Sequence, residues 1–176
     1  AIALASIERI GKESSIQEFA QNKFLLIDLA NIAKSEFTHI LVCGGWTARE
    51  RIANVEIFSM NDRAWSLGPS LLIPRHEHGI AFAEGRVFVF GGSTDGQLHK
   101  EMSNTVEFFT KAHGNWQWMT HTPMDQRRAR PGVGVVQSED DLAGDVNTKI
   151  FIFGGRDVRY HYLDSVEVLN AKSGQW

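Results

Sequence analysis

The sequence predicts an all-β fold of repeated, four-stranded antiparallel units, and three observations carry that prediction. A glycine pair closes an apolar stretch three times, in "HILVCGGW" (39–46), "RVFVFGGS" (86–93) and "KIFIFGGR" (149–156). A Val-Glu segment follows each pair, in "NVEIF" (54–58), "TVEFF" (105–109) and "SVEVL" (165–169), and a tryptophan lies nine residues beyond each glutamate: Glu56 to Trp65, Glu107 to Trp116, Glu167 to Trp176. Two further stretches, "PRHEHGIAF" (74–82) and "RRARPGVGV" (127–135), place an arginine four residues before a glycine: Arg75 to Gly79 and Arg128 to Gly132. The first glycines, Gly44, Gly91 and Gly154, are separated by steps of 47 and 63 residues. Four-stranded units repeating at roughly 40–50 residues are the mark of β-propeller blades.

Each element follows from local pattern. The segment before the glycine pair alternates or runs apolar and β-branched, as a buried strand does. The Val-Glu segment, the tryptophan segment and the "GIAFA" or "GVGVV" segment supply three more strands, with Gly, Asn, Asp and Ser between them. The prolines Pro69, Pro74, Pro123 and Pro131 all fall between strands. The repeats read as 39–85, 86–148 and 149–176, the third breaking off at its tryptophan. In the second, "QSEDDLAGDVNTK" (137–149) reads as an acidic loop replacing a short turn, which explains the longer second step. Residues 1–38 read as a linker or the end of a preceding domain. Ile7, Ile10 and Phe19 are near helical spacing within 6–21. "FLLIDLA" (24–30) is either an inner strand pairing with "HILVC" or the end of a preceding helical domain.

These motifs resemble the kelch family. The second unit carries the resemblance best, with "VFVFGGSTDG", "NTVEFF" and "NWQWMTHTPMDQRRARPGVGVV" in order, and the likeness covers about residues 39–176. The wording is similar to the subgroup in which BTB and BACK domains precede the propeller. The resemblance implies kelch-type β-propeller blades. About three are present where roughly 4–8 close a ring, so an incomplete propeller is expected. The absence of an initiator Met and the stop on Trp176 lead us to expect a fragment.

Composition narrows the function classes. The chain has 176 residues, 43% hydrophobic and 22% charged, with a formal net charge of -3. That charge gives no reason to expect nucleic acid or an anionic membrane as the main partner. The single cysteine, Cys43, cannot form an intrachain disulfide, so a reducing compartment is the simpler reading. No apolar run approaches the roughly 20 residues of a membrane span.

The glycine pairs Gly44–Gly45, Gly91–Gly92 and Gly154–Gly155 lack the further glycines, Lys-Ser/Thr and following helix of a phosphate loop, so they read as architectural. Glu56, Glu107 and Glu167 sit once per repeat, which argues against catalysis. Buried between blades they need partners, either repeat arginines such as Arg75 and Arg128 or backbone amides. Trp65, Trp116 and Trp176 read as interblade packing. His76 and His78 flank Glu77, but two ligands do not make a metal site. No metal or cofactor is expected, and no nucleophile or metalloprotease motif is present. The family's copper oxidases use a tyrosine–cysteine centre, which Cys43 in a strand with Tyr160 and Tyr162 does not match.

Function is therefore expected in the loops. In the family, the loops after the glycine pairs and the turns into the inner strands bind partner peptides. The loops 46–53, 93–103 and 156–164 hold Arg49, Arg51, His99, Lys100, Arg156, Arg159, Tyr160 and His161. The turn position two before the repeat glycine is Glu77 in one unit and Arg130 in the next. Family members often carry arginine there to hold acidic residues of a partner, so Arg130 fits and Glu77 departs. The implied partner is a protein or peptide, acidic or phosphorylated. The resemblance implies a non-catalytic, cytoplasmic substrate-recognition propeller of a cullin-3 ubiquitin ligase adaptor. Cullin-3 would be reached only through domains absent from this chain. An actin-binding or scaffold kelch protein and a catalytic propeller remain as alternatives.

Overall fold

The computed structural model describes residues 24–26, 39–47, 49–94, 101–139 and 146–176. These form three antiparallel sheets. The first runs β1 (Phe24–Leu26), β2 (His39–Cys43), β3 (Val55–Ser59), β4 (Ala64–Gly68). The second runs β5 (Gly79–Ala83), β6 (Arg86–Phe90), β7 (Val106–Ala112), β8 (Asn115–His121). The third joins β9 (Gly132–Glu139), β10 (Val146–Phe153) and β11 (Val166–Asn170). Each sheet is a propeller blade, and the three do not close a ring.

Phe24 pairs with Cys43 and Leu26 with Leu41, so "FLL" is the inner strand of the first blade. The helical pattern in 6–21 lies outside the described residues. Gly79 pairs with Phe90 and Gly132 with Phe153. The "GIAFA" and "GVGVV" strands thus begin the sheet that follows them, and sequence unit and sheet are out of phase by one strand. A Cβ on Gly79 would lie 2.5 Å from Val133, so the inner strands β5 and β9 approach closely there.

The stretch 137–149 is not all loop. Gln137 pairs with Thr148 and Glu139 with Val146, so the insertion lengthens the β9–β10 hairpin. Thr148 explains part of this: its backbone joins the ladder, while its buried hydroxyl donates to Glu84. Glu139 lies at the end of β9 away from Gly132, and so away from the loops that follow β10.

Two apolar layers join the blades. Leu41, Cys43, Val55 and Leu71 pack with Val87, Val89, Phe109 and Trp118 between the first and second sheets. Phe88, Phe90, Val106 and Met124 pack with Ile150, Ile152 and Leu169 between the second and third. The same repeat positions meet in both layers.

A polar clamp crosses each layer. Arg75 lies in the linker from β4 to β5. Its carbonyl accepts a hydrogen bond from Gly45 N at 2.8 Å, on the blade behind it. Its guanidinium reaches forward, donating to Gly91 O at 2.7 Å and to Glu107 at 2.5 Å, both side chains fully buried. Glu107 also accepts from the amides of Leu72 (2.7 Å) and Ile73 (3.1 Å) in the same linker. The next linker repeats the arrangement. Gly92 N donates to Arg128 O at 2.9 Å, and Arg128 donates to Gly154 O (2.9 Å) and Glu167 (2.6 Å). Glu167 accepts from Asp125 N (2.6 Å) and Gln126 N (3.2 Å). Burial pulls the Arg75 guanidinium below its ordinary pKa, and the Glu107 charge opposes that fall.

The interblade role read for Trp116 belongs to Trp118. Trp118 is 5% exposed and donates its indole N–H to Pro69 O (2.9 Å) on the preceding blade, whereas Trp116 is 51% exposed and stacks on Phe109 of its own sheet. The register shows why: Phe58 faces Trp65, but the equivalent Phe109 faces Trp118. The β7–β8 hairpin is two residues longer, so the constant nine-residue spacing in the second unit is a coincidence. Trp176 makes the bond equivalent to that of Trp118, from its N–H to Thr122 O at 2.9 Å.

Arg75→Ala should destabilise the chain by about 3–5 kcal/mol, because it strands a buried carboxylate. Urea denaturation checks this, and a loss near zero would contradict the clamp. The third sheet leaves Val135, Val136, Phe153 and Val166 exposed. Solutions of this chain alone should therefore self-associate with rising concentration. Sedimentation showing a monomer at every concentration would contradict that.

Candidate binding face

The glycine pair sets the geometry of the face. Gly91 and Gly92 have φ of 60° and 89°, and a Cβ on Gly91 would lie 2.4 Å from Arg128 O. The chain leaves β6 through a left-handed bend that any side chain would block. The next residue then bridges the neighbouring linker. Ser93 and His76 exchange backbone hydrogen bonds (2.8 and 3.1 Å), as do Arg156 and Ala129 (2.8 and 3.0 Å). Loop and linker are thereby fixed to each other at the same end of the sheets.

There they enclose a cavity of about 550 Å³ lined by Trp46, His76, Glu77, Ser93, Met102, Arg130, Arg156 and Tyr160. Its volume suits a side chain or short peptide segment. Glu77, Arg130 and Tyr160 have φ of 57°, 54° and 64°. Non-glycine residues seldom adopt that conformation, and it clusters at functional sites. The two linker turns are joined directly, since Arg130 N donates to Glu77 O at 2.7 Å.

The charges are partly matched. The Glu77 carboxylate pairs with Arg130 and lies 3.6 Å from Arg156. The Arg156 guanidinium sits over the Tyr160 ring at 5.5 Å. Two guanidiniums thus share one carboxylate beside two aromatic side chains, Trp46 and Tyr160. This set can hold an anionic group with its donors and an apolar stem with its rings.

The structure sorts the residues read from sequence. Glu77, Arg130, Arg156 and Tyr160 meet in the cavity. Arg51 does not belong to an exposed rim: it is buried, lies against Trp46 at 4.9 Å and donates to Ser93 Oγ at 2.7 Å. Arg49 and Arg159 are exposed on their loops, and His161 is exposed beside Asp157 at 3.6 Å. His99 and Lys100 lie outside the described residues. Sequence reasoning did not single out Trp46, Ser93 and Met102 as lining residues, and weighed His76 only in rejecting a metal site. One signal was available: Trp46, Ser93 and Arg156 each follow a glycine pair directly.

Behind the face, Cys43 Sγ approaches His78 Nε2 at 3.7 Å. No nucleophile motif in the sequence marks this pair. Both side chains are wholly buried. Among the described residues no group of three or more His, Cys, Asp or Glu could hold a metal, and no helix is long and apolar enough to cross a membrane.

The Kelch motif family model matches residues 146–176. Kelch domain-containing protein 8B of Homo sapiens is 32% identical over 127 residues, covering 69% of this chain and 33% of that protein. Kelch-like protein 38 of Homo sapiens is 24% identical over 123 residues, 70% of this chain and 19% of that protein. The chain belongs to the kelch-repeat family. Beta-scruin of Limulus polyphemus, 28% identical over 143 residues, covers 78% of this chain and 14% of its own length. The chain thus spans a third or less of the lengths of these relatives. Its kelch repeats mark it as a protein-interaction module.

Burial, with the charges of Arg75 and His76, pulls the His78 imidazole down from 6.5 to about 3. Above pH 6.5 neither the folded nor the unfolded chain holds this proton. Between there and about 3, only the unfolded chain does. Stability should therefore fall with pH across that window, by on the order of 1 kcal/mol per pH unit from this group. Urea melts of the native chain and of His78→Gln at a series of pH values check this: the variant should lose that share of the slope, and an unchanged slope would contradict it.

Proposed function

We propose that this chain is the partner-recognition part of a larger kelch protein, and that the cavity between its loops and linker turns docks an acidic segment of that partner. The observation that carries the reading is the convergence of Arg130, Arg156 and Tyr160 on one concave surface. Arginine and tyrosine are enriched where binding energy concentrates. The left-handed turns at Arg130 and Tyr160 support it, the first tied by its amide to Glu77 O and the second by its amide to Asp157 O.

The finer setting follows from the repeat wording. Its likeness to propellers preceded by BTB and BACK domains supports a cytoplasmic adaptor that presents substrates to a cullin-3 ubiquitin ligase. The ligase supplies the catalysis and this chain supplies recognition. Cullin-3 is engaged through domains other than these repeats.

The test is quantitative affinity capture with the intact chain and its Arg130→Ala/Arg156→Ala variant. Partners bound through the cavity should fall by roughly tenfold or more in the variant, as expected when hot-spot residues are truncated. Arg49→Ala, on an exposed loop, should leave capture unchanged. Equal capture by all three proteins would overturn the docking reading. Co-sedimentation with actin filaments, together with failure of the parent protein to co-precipitate cullin-3, would overturn the adaptor setting.

A further inference from the structure

Glu77 stands where the repeat elsewhere places a cation. Its counterpart, two residues after the clamp arginine of the next linker, is Arg130. The backbone conformations match, with φ of 57° and 54°, so the substitution changes the charge and leaves the turn alone. One carboxylate oxygen of Glu77 pairs with Arg130, and the other lies 3.6 Å from Arg156. The cavity therefore holds an anion on both of its guanidiniums, and that anion belongs to the chain.

We propose that Glu77 is a specificity-determining residue: a tethered carboxylate that occupies the anion seat and must leave it before a partner's anionic side chain can bind. This rests on the docking role proposed above. An incoming carboxylate or phosphate placed beside Glu77 would meet like charge at short range. Glu77 can leave at a lower cost than a core carboxylate, because its pair is open to water on one side, with Arg130 59% and Glu77 15% exposed. The Arg75–Glu107 pair, fully buried on both sides, has no such freedom. The chain thus uses one ion-pair chemistry twice, as a fixed clamp inside the blades and as a displaceable plug on the face. The plug selects against casual anions and favours partners whose remaining contacts, to Trp46 and Tyr160, are good enough to displace it.

The experiment measures binding of two fluorescein-labelled probes by anisotropy, the peptide Gly-Glu-Gly-Glu-Gly and its phosphoserine counterpart Gly-pSer-Gly-pSer-Gly. The proteins compared are the intact chain, Glu77→Gln, Glu77→Ala, the triple variant Glu77→Gln/Arg130→Ala/Arg156→Ala, and Glu50→Gln, with thermal melts confirming that each is folded. Glu77→Gln and Glu77→Ala should bind at least one probe roughly five- to tenfold more tightly than the intact chain, in line with the loss of a like charge held in a partly exposed pair. The triple variant should lose that gain. Glu50→Gln, an equal change of net charge outside the cavity, should show none. Preference for one probe identifies the partner's anion as carboxylate or phosphate. Equal, measurable binding by the intact chain and Glu77→Gln would overturn the plug while leaving the docking role intact. So would a gain that survives in the triple variant or appears in Glu50→Gln. No binding to either probe by any variant would overturn both the plug and the acidic-segment reading.

Discussion

The structure depends on one side chain per linker, an arginine that ties two blades together. Arg75 binds the blade behind through its carbonyl and the blade ahead through its guanidinium. Glu107 neutralises it and also gathers the linker amides of Leu72 and Ile73. Neither charge would be tolerable in the apolar layer alone, since desolvating an unpaired ion costs several kcal/mol. Together they form a closed polar unit, and Arg128 with Glu167 repeats it at the next joint. Hydrophobic packing between sheets is non-directional. The clamp adds direction by fixing which residue of one blade faces which residue of the next.

The candidate binding face rests on that clamp. Two residues beyond each linker arginine the chain turns through a left-handed conformation, at Glu77 and at Arg130. Such turns cost free energy in a non-glycine residue and persist where their surroundings hold them. Here the clamp holds one side, and the backbone pairs between Ser93 and His76 and between Arg156 and Ala129 hold the other. The side chains that reach the cavity are therefore presented from a rigid base. The side chain at this turn differs between the two linkers, Glu77 in one and Arg130 in the next, while the backbone conformation stays the same, with φ of 57° and 54°.

Much of this was legible in the sequence because it repeats. The glycine pairs, the Val-Glu segments and the linker arginines recur in register, and a charged residue recurring inside an apolar pattern signals a paired site. Other features escaped that logic. Trp118 was hidden because a hairpin two residues longer placed Trp116 at the expected spacing. The stretch after Gln137 looked like loop by composition, yet Thr148 and Val146 extend the ladder. The Glu77–Arg130 pair joins successive linkers 53 residues apart, a proximity that only the stacking of blades creates. The cavity lining was half visible: Arg156 stood out by its charge, while Trp46 and Ser93 shared its repeat position without drawing attention.

Native-state hydrogen exchange at four linker amides tests the central claim most directly. Leu72, Ile73, Asp125 and Gln126 lie outside every strand and carry exposed or half-exposed side chains, yet their N–H groups donate to Glu107 and Glu167. If the clamp organises the joints, these amides should exchange as slowly as those in the strands they connect, because they open only when a joint opens. Exchange at the rate of ordinary surface loops would contradict the account, leaving the blades joined by apolar packing alone.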